Sequence, residues 1–167
     1  NDAPLDFDGA YYQLHEAVLL PRPQRPGGPS ILIGGNGPKR TLPLAAKYAT
    51  EWNAVYISPA AFAERNALLD KMLVENGRSP DTVRRSLMTG LLFGVDETAV
   101  AAKLNARSTT FDEIKARGIA VGTGNQIVAQ LGAFQEAGVQ RIMLQWLDLD
   151  DLDGLEALAT SVLPQLK

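Results

Sequence analysis

Cysteine is absent from this chain, histidine occurs once, and neither a block of basic charge nor a long apolar run is present. Without cysteine there is no disulfide, no thiolate-bound metal and no cysteine nucleophile. The lone imidazole, His15, excludes a multi-histidine metal centre. The 16 Lys and Arg are scattered and the net charge is −3, so neither nucleic acid nor an acidic membrane surface is expected as a partner. No apolar stretch approaches the ~20 residues of a membrane-spanning helix, and the first residues do not follow a signal-peptide pattern. We therefore expect a soluble, cytoplasmic protein.

What is present has the balance of an ordinary globular domain. Hydrophobic residues make up 46% and charged residues 21%, and 167 residues suffice to bury one core. The chain opens on Asn1 and runs through Asp2-Ala3-Pro4-Leu5-Asp6-Phe7-Asp8-Gly9, a polar stretch without helix or strand period. Such a start is expected of the middle of a longer polypeptide.

The most informative run is Pro29-Ser30-Ile31-Leu32-Ile33-Gly34-Gly35-Asn36-Gly37-Pro38-Lys39-Arg40-Thr41-Leu42. Three aliphatic residues make a short strand, glycines turn the chain, and an amphipathic segment follows. Where a strand meets a helix through glycines, free N–H groups and the positive end of the helix dipole face outward together, which suits a phosphate. Gly-Gly-x-Gly has neither the spacing of a dinucleotide fingerprint nor the lysine of a Walker loop. The run is therefore equally compatible with a tight turn that binds nothing.

Residues 1–30 read as an extended, irregular lead-in, ending in Pro21, Pro23, Pro26 and Pro29 with Gly27 and Gly28. Residues 31–167 read as four strand–helix units. Strands are expected at 31–35, 52–57, 87–93 and 139–146. Helices are expected at 39–49, from Ser58-Pro59 to Asn76-Gly77, from Asp96-Glu97 through Leu104, from a Thr123–Gln126 capping box to Ala137-Gly138, and at 151–166. Residues 107–121 are the least legible, with a short helix at 111–116. Repeated βα units with near-continuous apolar strands imply a parallel sheet covered by helices. An open doubly wound sheet and part of a (β/α)8 barrel both satisfy that pattern; a full barrel takes roughly 250 residues.

The run from Ile31 to Leu42, with Leu44-Ala45-Ala46-Lys47-Tyr48-Ala49 and Glu51-Trp52-Asn53, closely resembles the luciferase-like monooxygenase superfamily, and most of all its coenzyme F420-dependent branch. Phe7-Asp8-Gly9, Tyr11-Tyr12, Glu75-Asn76-Gly77-Arg78-Ser79-Pro80, Gly122-Thr123, Ala137-Gly138-Val139 and the run from Leu144 to Leu152 are similar in the same order. The resemblance implies a (β/α)8 TIM-type barrel, of which this chain would be the last four units, with flavin or deazaflavin at the C-terminal ends of the strands. It also implies that Gly34, Gly35, Asn36 and Gly37 hold the cofactor phosphate. The family often has glycine where Asn36 stands, a helix former where Pro43 stands, and proline where Gly124 stands. In the family the first four units supply much of the ring pocket and most residues proposed for proton transfer.

Outside the glycine turn, single residues carry less. His15 has no paired base or nucleophile and reads as a surface residue. Trp52 reads as core; Asn53 is placed to hydrogen-bond inside a barrel; Thr89 is expected buried with its hydroxyl satisfied. Gln145 and Trp146 end the last strand, where barrel sites lie, and are candidates for lining a substrate pocket. Asp148, Asp150, Asp151 and Asp153 do not match a calcium loop and read as a solvated helix start, so no metal is expected. No residue is assigned a catalytic role.

The expected function is that of a flavin-type oxidoreductase, using coenzyme F420 for hydride transfer to or from a small organic substrate. The alternatives are an FMN-dependent monooxygenase, an inactive half-barrel that needs an N-terminal half, and an open phosphate-binding module. The expected partners are a small molecule and either further copies of the chain or a missing N-terminal half.

Overall fold

Serine and proline at 58–59, aspartate at 96 and threonine at 110 each open a helix in the computed structural model, which describes residues 3–166. The chain divides into two compact units, residues 1–30 and 31–167.

In the first unit β1 (Leu5–Asp8) and β2 (Gln13–Ala17) pair as an antiparallel hairpin. The amide of Gly9 donates to the carbonyl of Tyr12 at 2.9 Å to close it. The polar stretch read as structureless thus contains a strand: Leu5 and Phe7 alternate with Asp6 and Asp8, a two-residue period too short to stand out. His15 is an exposed residue of β2.

The second unit is an α/β layer. Its elements are β3 (Leu32–Gly34), α1 (Thr41–Tyr48), β4 (Glu51–Val55), α2 (Pro59–Glu75), β5 (Arg84–Phe93), α3 (Glu97–Ala106), α4 (Phe111–Ala116), β6 (Ala120–Gly122), α5 (Gly124–Glu136), β7 (Arg141–Gln145) and α6 (Leu152–Val162). Every strand pair is parallel. The order runs β3, β4, β5, after which β5 pairs with β7 along Ser86–Gly90 and with β6 along its last three residues. Five parallel strands stand where four were expected. The addition is β6, three residues within the least legible stretch. Pro43 falls in the first turn of α1, where its missing N–H costs no intrahelical bond.

Register sorts the strand residues onto two faces. Ile33, Trp52, Ala54, Leu87 and Ile142 face α1, α2 and α5 and make the main core with Leu42, Ala45, Phe62, Leu69, Leu73 and Phe134. Trp52 is fully buried, stacks on Phe62 with centroids 5.0 Å apart, and donates its indole N–H to the Gly35 carbonyl at 2.8 Å. Arg85 shares this face and ties β5 to α2 through Asn66 and Asp70. Thr89 is buried, its hydroxyl donating to the Gly118 carbonyl at 2.6 Å.

The opposite face carries Leu32 and Gly34 of β3, Glu51, Asn53 and Val55 of β4, Arg84, Ser86, Met88 and Gly90 of β5, and Arg141, Met143 and Gln145 of β7. Glu51 lies 3.8 Å from Arg84 and 3.7 Å from Arg141, binding three strands through one carboxylate.

Candidate functional site

The turn after β3 emerges at the C-terminal edge of the sheet, the end where barrel sites are built. Gly35 has φ +118°, and its amide continues the ladder to the Asn53 carbonyl at 2.9 Å. A Cβ on Gly35 or Gly37 would meet the Thr41 hydroxyl at 3.3 or 3.1 Å, so a side chain at either crowds Thr41 by a few tenths of an ångström, and the positive φ of Gly35 adds backbone strain there. Gly34 differs. Its Cβ would meet only the Asn53 carbonyl at 3.9 Å, an ordinary contact, so the missing side chain leaves room on the open face without being forced. The Asn36 side chain donates to the Val55 carbonyl at 2.6 Å and accepts from the Val55 amide at 3.0 Å, pinning the turn to the end of β4.

The helix that follows is unusual among its neighbours. α2, α3, α4 and α6 each offer a side-chain oxygen to their first-turn amides, from Ser58, Asp96, Thr110 and Asp151. α5 turns Gln126 back onto the Thr123 amide at 2.9 Å. α1 has neither device: its cap residue is Arg40, preceded by Lys39, and its first turn holds no acid. Positive charge beside a helix N-terminus opposes the macrodipole and destabilises the helix, whereas an anion seated there relieves both the dipole and the cations.

At the same edge, on the adjacent strand, Tyr56 follows β4 with φ +45°, a strained conformation for an aromatic residue. Its phenol donates to Gln145 Oε1, and Gln145 Nε2 lies 3.5 Å from Met88 Sδ. Tyr56 therefore reaches across β5, over Gly90, to the end of β7; a Cβ on Gly90 would sit 3.4 Å from its ring. Trp146 comes next, with its indole N–H buried and without an acceptor among the described residues. Lys103 Nζ stands 5.6 Å from the Trp146 ring centroid.

The remaining sequence candidates fall elsewhere. Asn53 donates to Ser86 Oγ at 2.9 Å on the open face. Asp151 caps α6 by accepting from the Gly154 amide at 2.9 Å and pairs with Lys103 at 3.3 Å; these bonds, that from Gly154 foremost, hold its carboxyl below the usual range. No group of acids or histidine suited to a metal occurs among the described residues, and none of their helices is long and apolar enough to cross a membrane. Sequence reading missed Tyr56 and the cations Lys103, Arg107 and Arg117 that gather near Trp146. Tyr56 had a signal, since it lies between an apolar strand and a Ser-Pro helix start.

Comparison with solved structures places the fold. An F420-dependent secondary alcohol dehydrogenase, solved with an F420–acetone adduct, matches all of this chain at TM-score 0.79 and 20% identity, over 57% of its own length. The coenzyme F420-dependent tetrahydromethanopterin reductase of Methanopyrus kandleri matches 99% at TM-score 0.74 and 18% identity, over 59% of its length. The FMN-bound oxygenating constituent of 3,6-diketocamphane monooxygenase, from Pseudomonas putida, matches 98% at 0.69 and 12%, over 58%. The chain thus spans a little over half of these structures, and its parallel sheet with covering helices is the corresponding part of their α/β fold. No curated protein sequence matches it. The family model for luciferase-like monooxygenase matches residues 1–112, two-thirds of the sequence, and the chain belongs to that family.

Proposed function

We propose that this chain is the cofactor-phosphate-binding part of a flavin-type oxidoreductase, with coenzyme F420 as its cofactor and FMN as the alternative. The observation that carries the reading is the doubly basic N-terminus of α1 behind the glycine turn, which has no side-chain cap, its Leu42 amide donating to the Gly37 carbonyl at 3.0 Å. Gly34, Gly35, Asn36 and Gly37 would hold the phosphate. Gly34 gives close approach, Asn36 fixes the turn, and Lys39 and Arg40 balance the charge. A ring bound there supplies the hydride chemistry, and the chain supplies placement and electrostatics. The two F420-dependent enzymes in the comparison match with higher TM-scores than the FMN-bound one, and the sequence resembles the F420 branch most closely.

Titration with F420, FMN and riboflavin, followed by absorbance and fluorescence, tests this. F420 or FMN should bind, FMN at least roughly tenfold more tightly than riboflavin, and Arg40→Glu should abolish that preference. Equal binding of FMN and riboflavin would remove the phosphate site from the reading. Failure of every ring to bind, with a monomer on size-exclusion, would favour an inert half-barrel; phosphate binding without ring preference would favour a plain anion module.

A further inference from the structure

A cavity of about 320 Å³ opens at the C-terminal ends of β5 and β7, a volume at the small end of the range that takes small molecules. Leu92, Phe93 and Ile114 give it a buried apolar floor, and Trp146 forms a wall. Its rim is cationic. Lys103, Arg107 and Arg117 line it against one carboxylate, that of Asp148. Lys103 is already engaged with Asp151. Arg107 donates to the Lys103 carbonyl at 3.1 Å and keeps its other N–H groups. Among the described residues no carboxylate lies within ion-pair distance of Arg107 or Arg117. Lys103 is balanced by Asp151, whereas the charges of Arg107 and Arg117 on the same rim repel each other, and an anion seated with both offsets that repulsion.

We propose that this cavity binds a small organic anion. Its apolar body rests on Leu92, Phe93 and Ile114, and its carboxylate or phosphate is held by Arg107 and Arg117. The site is distinct from the glycine turn. β3 lies two strands from β5, about 10 Å at the ~4.8 Å spacing of strands, so one anion does not serve both. Anion binding here stands on its own observations; the anion's role as the substrate rests on the oxidoreductase reading.

The two tryptophans give the readout. In proton–nitrogen correlation spectra their indole N–H signals are separable, because Trp52 is held by the Gly35 carbonyl and Trp146 has no acceptor among the described residues. Benzoate and benzamide share a body and differ in charge; inorganic phosphate has charge without the body. Benzoate should shift the Trp146 signal saturably and leave Trp52 unmoved. Benzamide should bind roughly tenfold more weakly, and Arg107→Gln with Arg117→Gln should reduce benzoate to the benzamide level. Both arginines are exposed, and a dispersed spectrum of the variant verifies its fold. Phosphate binding tighter than benzoate assigns the anion to a phosphate ester; weaker binding assigns it to a carboxylate. Equal binding of benzamide and benzoate, unchanged binding in the double variant, or an unmoved Trp146 signal with both benzoate and phosphate would overturn the proposal. No redox cofactor is present in this experiment, so its failure is separate from that of the cofactor reading.

Discussion

The two faces of the parallel sheet are made from the same strands but governed by different physics. On one, Trp52, Ala54 and Leu87 are fully buried under helices and the residue choice is dictated by volume. On the other, Leu32 is half exposed, glycine stands at 34 and 90, and the buried groups are polar: Asn53 and Ser86 hydrogen-bond each other beside the Glu51–arginine pairs. A face built only for stability would not leave an open, side-chain-free position such as Gly34 beside paired polar groups. The helix-covered face holds the fold, and the open one carries the candidate chemistry.

The sharpest way to break that contrast is by truncation. Trp52→Ala should cost about 3–5 kcal/mol in urea denaturation, since it removes a packed aromatic and the hydrogen bond to Gly35. Leu32→Ala, one strand away on the other face, should cost less than about 1 kcal/mol. Comparable losses would mean that the open face is covered in solution. The glycine turn offers a second contrast. Gly35→Ala should destabilise by about 1–3 kcal/mol, because the new Cβ meets Thr41 at a φ that alanine resists. Gly34→Ala should leave the denaturation midpoint within the ±0.5 kcal/mol of neutral substitutions while weakening FMN, which would separate the room a ligand needs from the room the fold needs. Asn53→Ala should cost about 1–2 kcal/mol through the buried Ser86 hydroxyl, between the two extremes.

The smallest expected effect concerns pH. The Asp151 carboxyl is held below its unfolded value, chiefly by the Gly154 amide, so its stabilisation is present above the unfolded pKa near ~3.9 and is lost as pH falls through the folded one. Asp151→Asn keeps a capping oxygen and loses the charge. The Tm of the variant should therefore fall below that of the parent at neutral pH and converge with it as the solution is acidified. A constant gap would show that the charge contributes nothing.

How far the sequence carried varies with the length of each signal. The second helix was legible because Ser58-Pro59 and Asn76-Gly77 mark its ends and Phe62, Leu69 and Leu73 recur on one side. Thr123 with Gln126 marked the fifth in the same way. β6 was not legible, because three residues cannot display a period and its pairing with β5 is long-range. The glycine turn was visible as a turn, but the missing cap of α1 became meaningful only when set beside five capped neighbours. The cation-rimmed cavity had no sequence signature, since Lys103, Arg107, Arg117 and Trp146 converge only through folding.

Asn36 precedes Gly37, the pairing in which the following backbone nitrogen most readily attacks the side-chain amide, expelling ammonia to give a succinimide that water opens to aspartate or isoaspartate. The doubled bond to Val55 immobilises that amide and keeps it from the required approach. Each transient opening of the turn releases it. The folded protein thus carries a chemical clock that runs only while this corner is undone: conversion would replace the donor facing the Val55 carbonyl with a negative charge and make the loss permanent.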